Sequence, residues 1–148
     1  MSSWESDLLT GIAQTLADAG VGTYRTDGTA YAAGETAIVF GELPTTPDRA
    51  IALSLYAATD APVQNLSTVR AQLMFRGAVN ANLDVGDLAT EAFGVLQGMT
   101  ARDYGTAHVI QAGRISAVPL GQDANKRYTR ADNYQIDVNT PYTAYRTP

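Results

Sequence analysis

The sequence predicts an α+β protein: an antiparallel β-sheet with two α-helices packed on one face, in the order α-β-β-β-β-α-β-β. Three observations carry this. Apolar residues recur at helical spacing in two separate segments, near 3–19 and 84–98. Elsewhere the apolar runs alternate with polar residues, the period-2 pattern of a strand with one buried face. The strands are also too short and too closely linked to be joined by helical crossovers.

The first helix opens with Ser2-x-x-Glu5, a capping box in which each side chain satisfies a free backbone N–H. Trp4, Leu8, Leu9, Ile12, Leu16 and Ala19 form one apolar stripe, and Gly20 offers a left-handed stop. Gly11 weakens the middle by about 1 kcal/mol relative to Ala. A short strand is expected at 21–25, then a turn at Asp27-Gly28, an exposed loop at 29–34 and a short strand at 37–40. That strand ends at Gly41, and Pro44 and Pro47 interrupt regular structure beyond it. In Arg49–Ala57, Ile51, Leu53 and Leu55 share one face. In Ser67–Arg76, Val69, Ala71, Leu73 and Phe75 alternate with polar partners, and 59–66 closes a hairpin. Asp84 reads as the N-cap of the second helix, with Asp87 in its first turn and Gly98 at its end. Val85, Leu88, Ala89, Ala92, Val95, Leu96 and Met99 make its buried stripe. A strand at 108–116 bends near Gly113 and stops by Pro119; 120–126 is a polar loop. Tyr128–Val138 is the last strand, with Tyr134, Ile136 and Val138 on one face. Residues 1–138 thus form one domain. Asn139–Pro148, with Pro141, Tyr142, Tyr145 and Pro148, reads as an extended arm.

Composition narrows the function. The 148 residues include ten Lys+Arg and fifteen Asp+Glu, a net charge of -5, and only 17% are charged, against roughly 25% in an ordinary soluble domain. The absence of cysteine excludes disulfides, thiolate zinc sites and a cysteine nucleophile. No apolar run approaches the roughly 18 residues that span a bilayer, and the start, Met-Ser-Ser-Trp-Glu-Ser-Asp, does not resemble a signal peptide; no membrane partner is expected. The acidic balance opposes sequence-specific nucleic-acid binding. Lys126 is the single lysine among ten basic residues. Arg and Tyr are enriched at protein interfaces where Lys is depleted, although codon bias in a GC-rich genome produces the same composition.

Catalytic constellations are missing. His108 is the only histidine, and nothing at metal-ligand spacing surrounds it. Asp84 and Asp87 have a structural reason to lie at a helix start. Gly20-Val-Gly22 lacks the rest of a dinucleotide fingerprint. No enzyme activity, cofactor or metal is expected. Arg114, Lys126, Arg127 and Arg130 form a local basic cluster. It reads as a solvated strand end, as an interface meeting carboxylates of a neighbouring subunit, or as a weak phosphate contact. Tyr142 and Tyr145 lie where burial within the chain is least expected, on an arm that is either disordered or docked on a neighbour.

Short runs spread over nearly the whole chain carry a resemblance: Leu16-Ala-Asp-Ala-Gly20, Thr23-Tyr-Arg25, Ile38-Val-Phe-Gly41, Pro44-x-x-Pro-Asp-Arg-Ala50, Thr68-Val-Arg70, Arg114-Ile-Ser116, Pro119-Leu-Gly-Gln-Asp123 and Arg130-Ala-Asp-Asn-Tyr134. In these the chain resembles the tail terminator proteins of long-tailed phages, especially the actinobacteriophage branch often labelled minor capsid or neck proteins. Leu73-Met-Phe75 is more apolar than the resemblance leads one to expect. The resemblance implies a ring, normally a hexamer, that caps the head-proximal end of the tail tube and stops its polymerisation. It implies contact with the tube protein and the head connector or head-closure protein, and DNA passing through the lumen. It also implies a place in the virion neck after assembly in the host cytoplasm. An acidic lumen would let DNA slide without sticking. The subunit or partner interface is expected at Tyr31, Arg114, Gln122, Asp123, Arg127, Arg130, Tyr142 and Tyr145. The alternatives are another head–tail connector component, such as a head-closure or tail-completion protein, or a small-molecule-binding or enzymatic domain with a site in the 20–37 loop.

Overall fold

A computed structural model describes residues 2–148. Its elements are α1 (Trp4–Asp18), β1 (Ala37–Phe40), β2 (Ala50–Asp60), β3 (Leu66–Val79), α2 (Asp84–Leu96), β4 (Thr100–Tyr104), β5 (Ala107–Gln122) and β6 (Arg127–Asn139). They form an α+β fold with a single six-stranded sheet in the order β1-β2-β3-β6-β5-β4. All neighbouring pairs are antiparallel except β1–β2, which is parallel, so the sheet is mixed. The loop 41–49 makes this possible by carrying the chain back to restart beside β1.

Two expected elements change place. The segment 21–25 contributes a single bridge, Thr23 to Ala37, rather than a strand; only Thr23 keeps hydrogen-bond register with β1 before the chain turns away. The sixth strand is instead β4, so the order is α-β-β-β-α-β-β-β. Two caps also differ. Ser3, not Ser2, caps α1, its Oγ accepting from the Ser6 amide at 3.1 Å. Ser2 instead donates to the Asp7 carboxylate. Asp84 lies inside α2 rather than capping it. Its carboxylate accepts from the Ala78 amide (2.8 Å) and from Arg49 Nε (3.0 Å). Strand β5 does not stop at Pro119 but runs on to Gln122 with three register shifts. An edge strand tolerates a proline because its outer side needs no N–H donor.

Both helices cover one face of the sheet. Leu8, Ile12 and Leu16 of α1 and Leu88, Ala92 and Leu96 of α2 pack over Leu53, Leu73, Phe75, Tyr134 and Ile136, all buried. Each such aliphatic side chain contributes about 1.5–3 kcal/mol through burial. Leu73 and Phe75 point into this core and Met74 lies half-buried on the other face, which accounts for the apolar run on β3. Gly11 is explained by close approach. A Cβ there would lie 2.2 Å from the Tyr104 ring, so packing against Tyr104 offsets its poor helix propensity. Helix α1 ends as the sequence suggests: Gly20 takes φ +80°, its amide bonding to Ala17 O and that of Val21 to Leu16 O.

Candidate functional site

The second face of the sheet carries no helix among the described residues, and its side chains line up across strands. One row runs Ser54–Gln72–Asn133–Ser116, with Gln72 Nε2 donating to Asn133 Oδ1 (3.4 Å) and Asn133 Nδ2 to Ser116 Oγ (2.8 Å). Another runs Thr59–Thr68–Asp137–Gln111. Asp137 accepts from Thr68 Oγ1 (2.7 Å) and Gln111 Nε2 (2.9 Å). Between them lies Tyr56–Arg70–Gln135–Gly113. Arg70 is exposed and makes no ion pair among the described residues. A shallow hollow of about 410 Å³ is lined by Ala57, Thr59, Thr68, Arg70 and Gln135. This surface is built mainly from hydroxyls and amides, set around the Asp137 carboxylate and the exposed Arg70.

At the far end the loop 44–48 is clamped onto the sheet. Arg76, buried, donates from Nε to Asp48 O and from Nη2 to Pro47 O, both at 2.7 Å. Burial, and then the nearby Arg127 charge, hold its pKa below the ordinary arginine value. Arg127, with its side chain 5% exposed, donates to Thr45 O (2.8 Å) and pairs with Asp48 (3.2 Å) and Asp123 (3.0 Å). Burial pushes the Asp123 pKa up, but bonds from the Arg127 amide, the Arg127 guanidinium and the Asn125 amide outweigh it and leave it lowered.

Arg114 and Arg130 converge on the helix-covered side. Asp132, fully buried, accepts from Arg114 Nη1 (3.2 Å) and Arg130 Nε (2.7 Å). The Arg114 guanidinium lies 4.4 Å from the centre of the Phe93 ring on α2, and the Arg114 amide donates to Gln97 Oε1 (2.8 Å). The basic cluster thus folds onto carboxylates of its own chain. Lys126 sits in the β5–β6 turn at φ +63°.

The expected interface residues therefore fall into separate places. Arg127 and Asp123 belong to the clamp, Arg114 and Arg130 share Asp132, and Gln122 is exposed at the end of β5. Tyr31 seals the β1 edge: its hydroxyl donates to Ile38 O (2.8 Å) and accepts from the Arg25 amide (3.1 Å). Arg25 stacks on its ring and pairs with Glu35 at 2.7 Å. Tyr142 and Tyr145 are exposed at the other end of the molecule. His108 pairs with Asp103 across the β4–β5 hairpin, and no cluster of metal-ligating side chains occurs among the described residues. No helix is long and apolar enough to cross a membrane among them. Sequence reasoning passes over Asp132, although it stands two residues from Arg130 on a strand and so shares its face. It also passes over the exposed Ile115, Val118 and Leu120 of β5.

Residues 15–140 match the family described as bacteriophage tail terminator protein. The chain belongs to this family. It is a structural protein of the phage tail. The fold is similar to that of a solved chain from the "Virion of native gene transfer agent (GTA) particle", at TM-score 0.60 and 12% identity, covering 88% of this chain and 93% of that one. No curated protein matches it. The runs that carried the resemblance to tail terminators coincide with structural devices: Pro44–Ala50 is the clamped loop, Pro119–Asp123 the end of β5 and its turn, and Arg130–Tyr134 holds the buried Asp132.

Proposed function

We propose that this tail terminator forms a closed ring, a hexamer, on the head-proximal end of the tail tube. There it stops tube polymerisation and presents a surface to the head connector or head-closure protein. The family match over residues 15–140 carries this reading. Copies meet one another, the tube protein and the connector in the virion neck after assembly in the host cytoplasm, with no cofactor, metal or membrane and no catalytic step. The open sheet face suits a lumen wall. Duplex DNA carries one charge per roughly 1.7 Å and adheres where Lys and Arg neutralise it. Apart from Arg70, the rows of this face carry Ser, Thr, Asn and Gln around the Asp137 carboxylate, and the net charge of -5 acts in the same direction. Arg114, Arg130, Gln122, Tyr142 and Tyr145 meet neighbouring subunits, and Tyr31, Asp123 and Arg127 hold those surfaces in shape.

The test is to remove the protein during phage assembly and measure tail length by electron microscopy. Overlong or ragged tails support the terminator reading. Tails of normal length that fail to join heads would move the chain to the connector.

A further inference from the structure

Two features of this fold stand open to water. One is the arm beyond Thr140. Thr140 itself is tied down, its amide donating to Asn65 O (3.0 Å) and its carbonyl accepting from Asn65 Nδ2 (3.2 Å). After it, Tyr142 is 53% and Tyr145 91% exposed. The arm is held to the body through the Arg146 guanidinium, which donates to Gln64 O (2.8 Å) and Leu66 O (3.1 Å) in the β2–β3 turn, exposed to water. A tyrosine ring is a large amphipathic surface, and burial of its apolar body is favourable.

The other feature is the outer flank of β5. Pairing with β4 ends opposite Gln111, and Gln97 Oε1 takes the Arg114 amide; from Ile115 onward β5 has β6 alone as a neighbour. Ile115, Val118 and Leu120 are 47%, 45% and 51% exposed there. Pro119 and the register shifts beside it interrupt the backbone ladder, which disfavours a complete added strand. What remains for recognition is the aliphatic side chains.

We propose that Tyr142 and Tyr145 of one copy pack on Ile115, Val118 and Leu120 of the next. The inference rests on the ring reading and names the contact that builds it. In its own chain the arm is held elsewhere: Arg146 fixes its end on the β2–β3 turn, across β6 from β5. Asn139 lies at the end of β6 opposite His108, whereas Val118 pairs with Ala131. These eight strand steps put Val118 about 27 Å from the arm's root. Tyr145 stands five residues beyond the anchored Thr140, a reach of about 17 Å at full extension. Donor and acceptor surfaces thus sit at opposite ends of one sheet, so their union is head-to-tail. A heterologous contact of that kind closes into a ring when its rotation permits.

The chain has no cysteine, so a disulfide can be placed at will. Tyr145→Cys protein and Leu120→Cys protein, carrying different tags, are mixed and assembled on tails, then oxidised. A disulfide-linked heterodimer is expected, formed at least tenfold more than with Lys126→Cys in place of Leu120→Cys. The double variant should give a ladder on a non-reducing gel whose last step counts the subunits. Sedimentation and microscopy of the same samples report assembly independently. Rings that assemble without the cross-link overturn this inference and leave the ring reading standing. A chain that stays monomeric on tails as well as alone overturns both.

Discussion

From Ala107 to Ala112, β5 lies between β4 and β6, with Ala107, Val109 and Ala112 buried. From Gly113 to Gln122 the same strand has β6 alone and shows aliphatic side chains to water. The near half is core. The far half is a free edge broken by Pro119 and two register shifts, with aliphatic side chains among its polar ones. The β1 edge of the sheet contrasts with it again: Thr23, Tyr31 and the 21–35 segment occupy its outer hydrogen-bonding groups. One edge is sealed by the chain itself; on the ring reading the other takes a partner, which gives association through the sheet a direction.

Substitutions sharpen this contrast, in descending size. Arg127→Ala should cost about 3 kcal/mol in urea unfolding, because it strands Asp123 and the Thr45 carbonyl and frees the clamped loop. A loss below about 0.5 kcal/mol would show that Arg127 serves a neighbour rather than its own fold. Val109→Ala, in the near half, removes two buried methyl groups and should cost about 2 kcal/mol. Tyr134→Phe should raise stability by about 1 kcal/mol. The Tyr134 hydroxyl is buried without a hydrogen-bond partner among the described residues, and burial pushes its pKa up to about 12. Leu120→Ser, in the far half, should change stability by less than about 0.5 kcal/mol.

A pH titration probes the near half from another side. Asp7 ties the start of α1 to the turn before β5, accepting from the Thr106 amide (2.8 Å) and hydroxyl (2.6 Å). Hydrogen bonds from Ser2 and then Thr106 lower its pKa from 3.8 to about 2. The folded value is the lower one, so its stabilisation is complete above the unfolded value and is lost as pH falls through about 2. Asp7→Asn should therefore flatten the decline of the thermal midpoint over that acid window.

Period and capping rules make much of the fold legible. Both helices, β2, β3 and β6 follow from apolar spacing, because each buries one face against the other layer. β4 does not: Thr100-Ala-Arg-Asp103 is exposed, has no alternation, and passes through Ala101 at φ +52°. Nor does the parallel β1–β2 pairing, which depends on where the loop 41–49 is clamped by Arg76 and Arg127 from distant strands. The basic cluster is visible as charge, but its orientation is not. Asp132 turns Arg114 and Arg130 along the sheet toward α2, and that requires cross-strand register. The last residues of β5, 120–122, read as part of a polar loop because Pro119 precedes them and the register shifts scatter the apolar residues of this strand off any single period.

A reconstruction of the intact virion tests the central claim most directly. The ring reading predicts density for this chain as a closed ring at the head-proximal end of the tail tube, with the Gln72–Asn133 face toward the lumen. Density for the chain elsewhere in the particle, or the Gln72–Asn133 face turned away from the lumen, would contradict it.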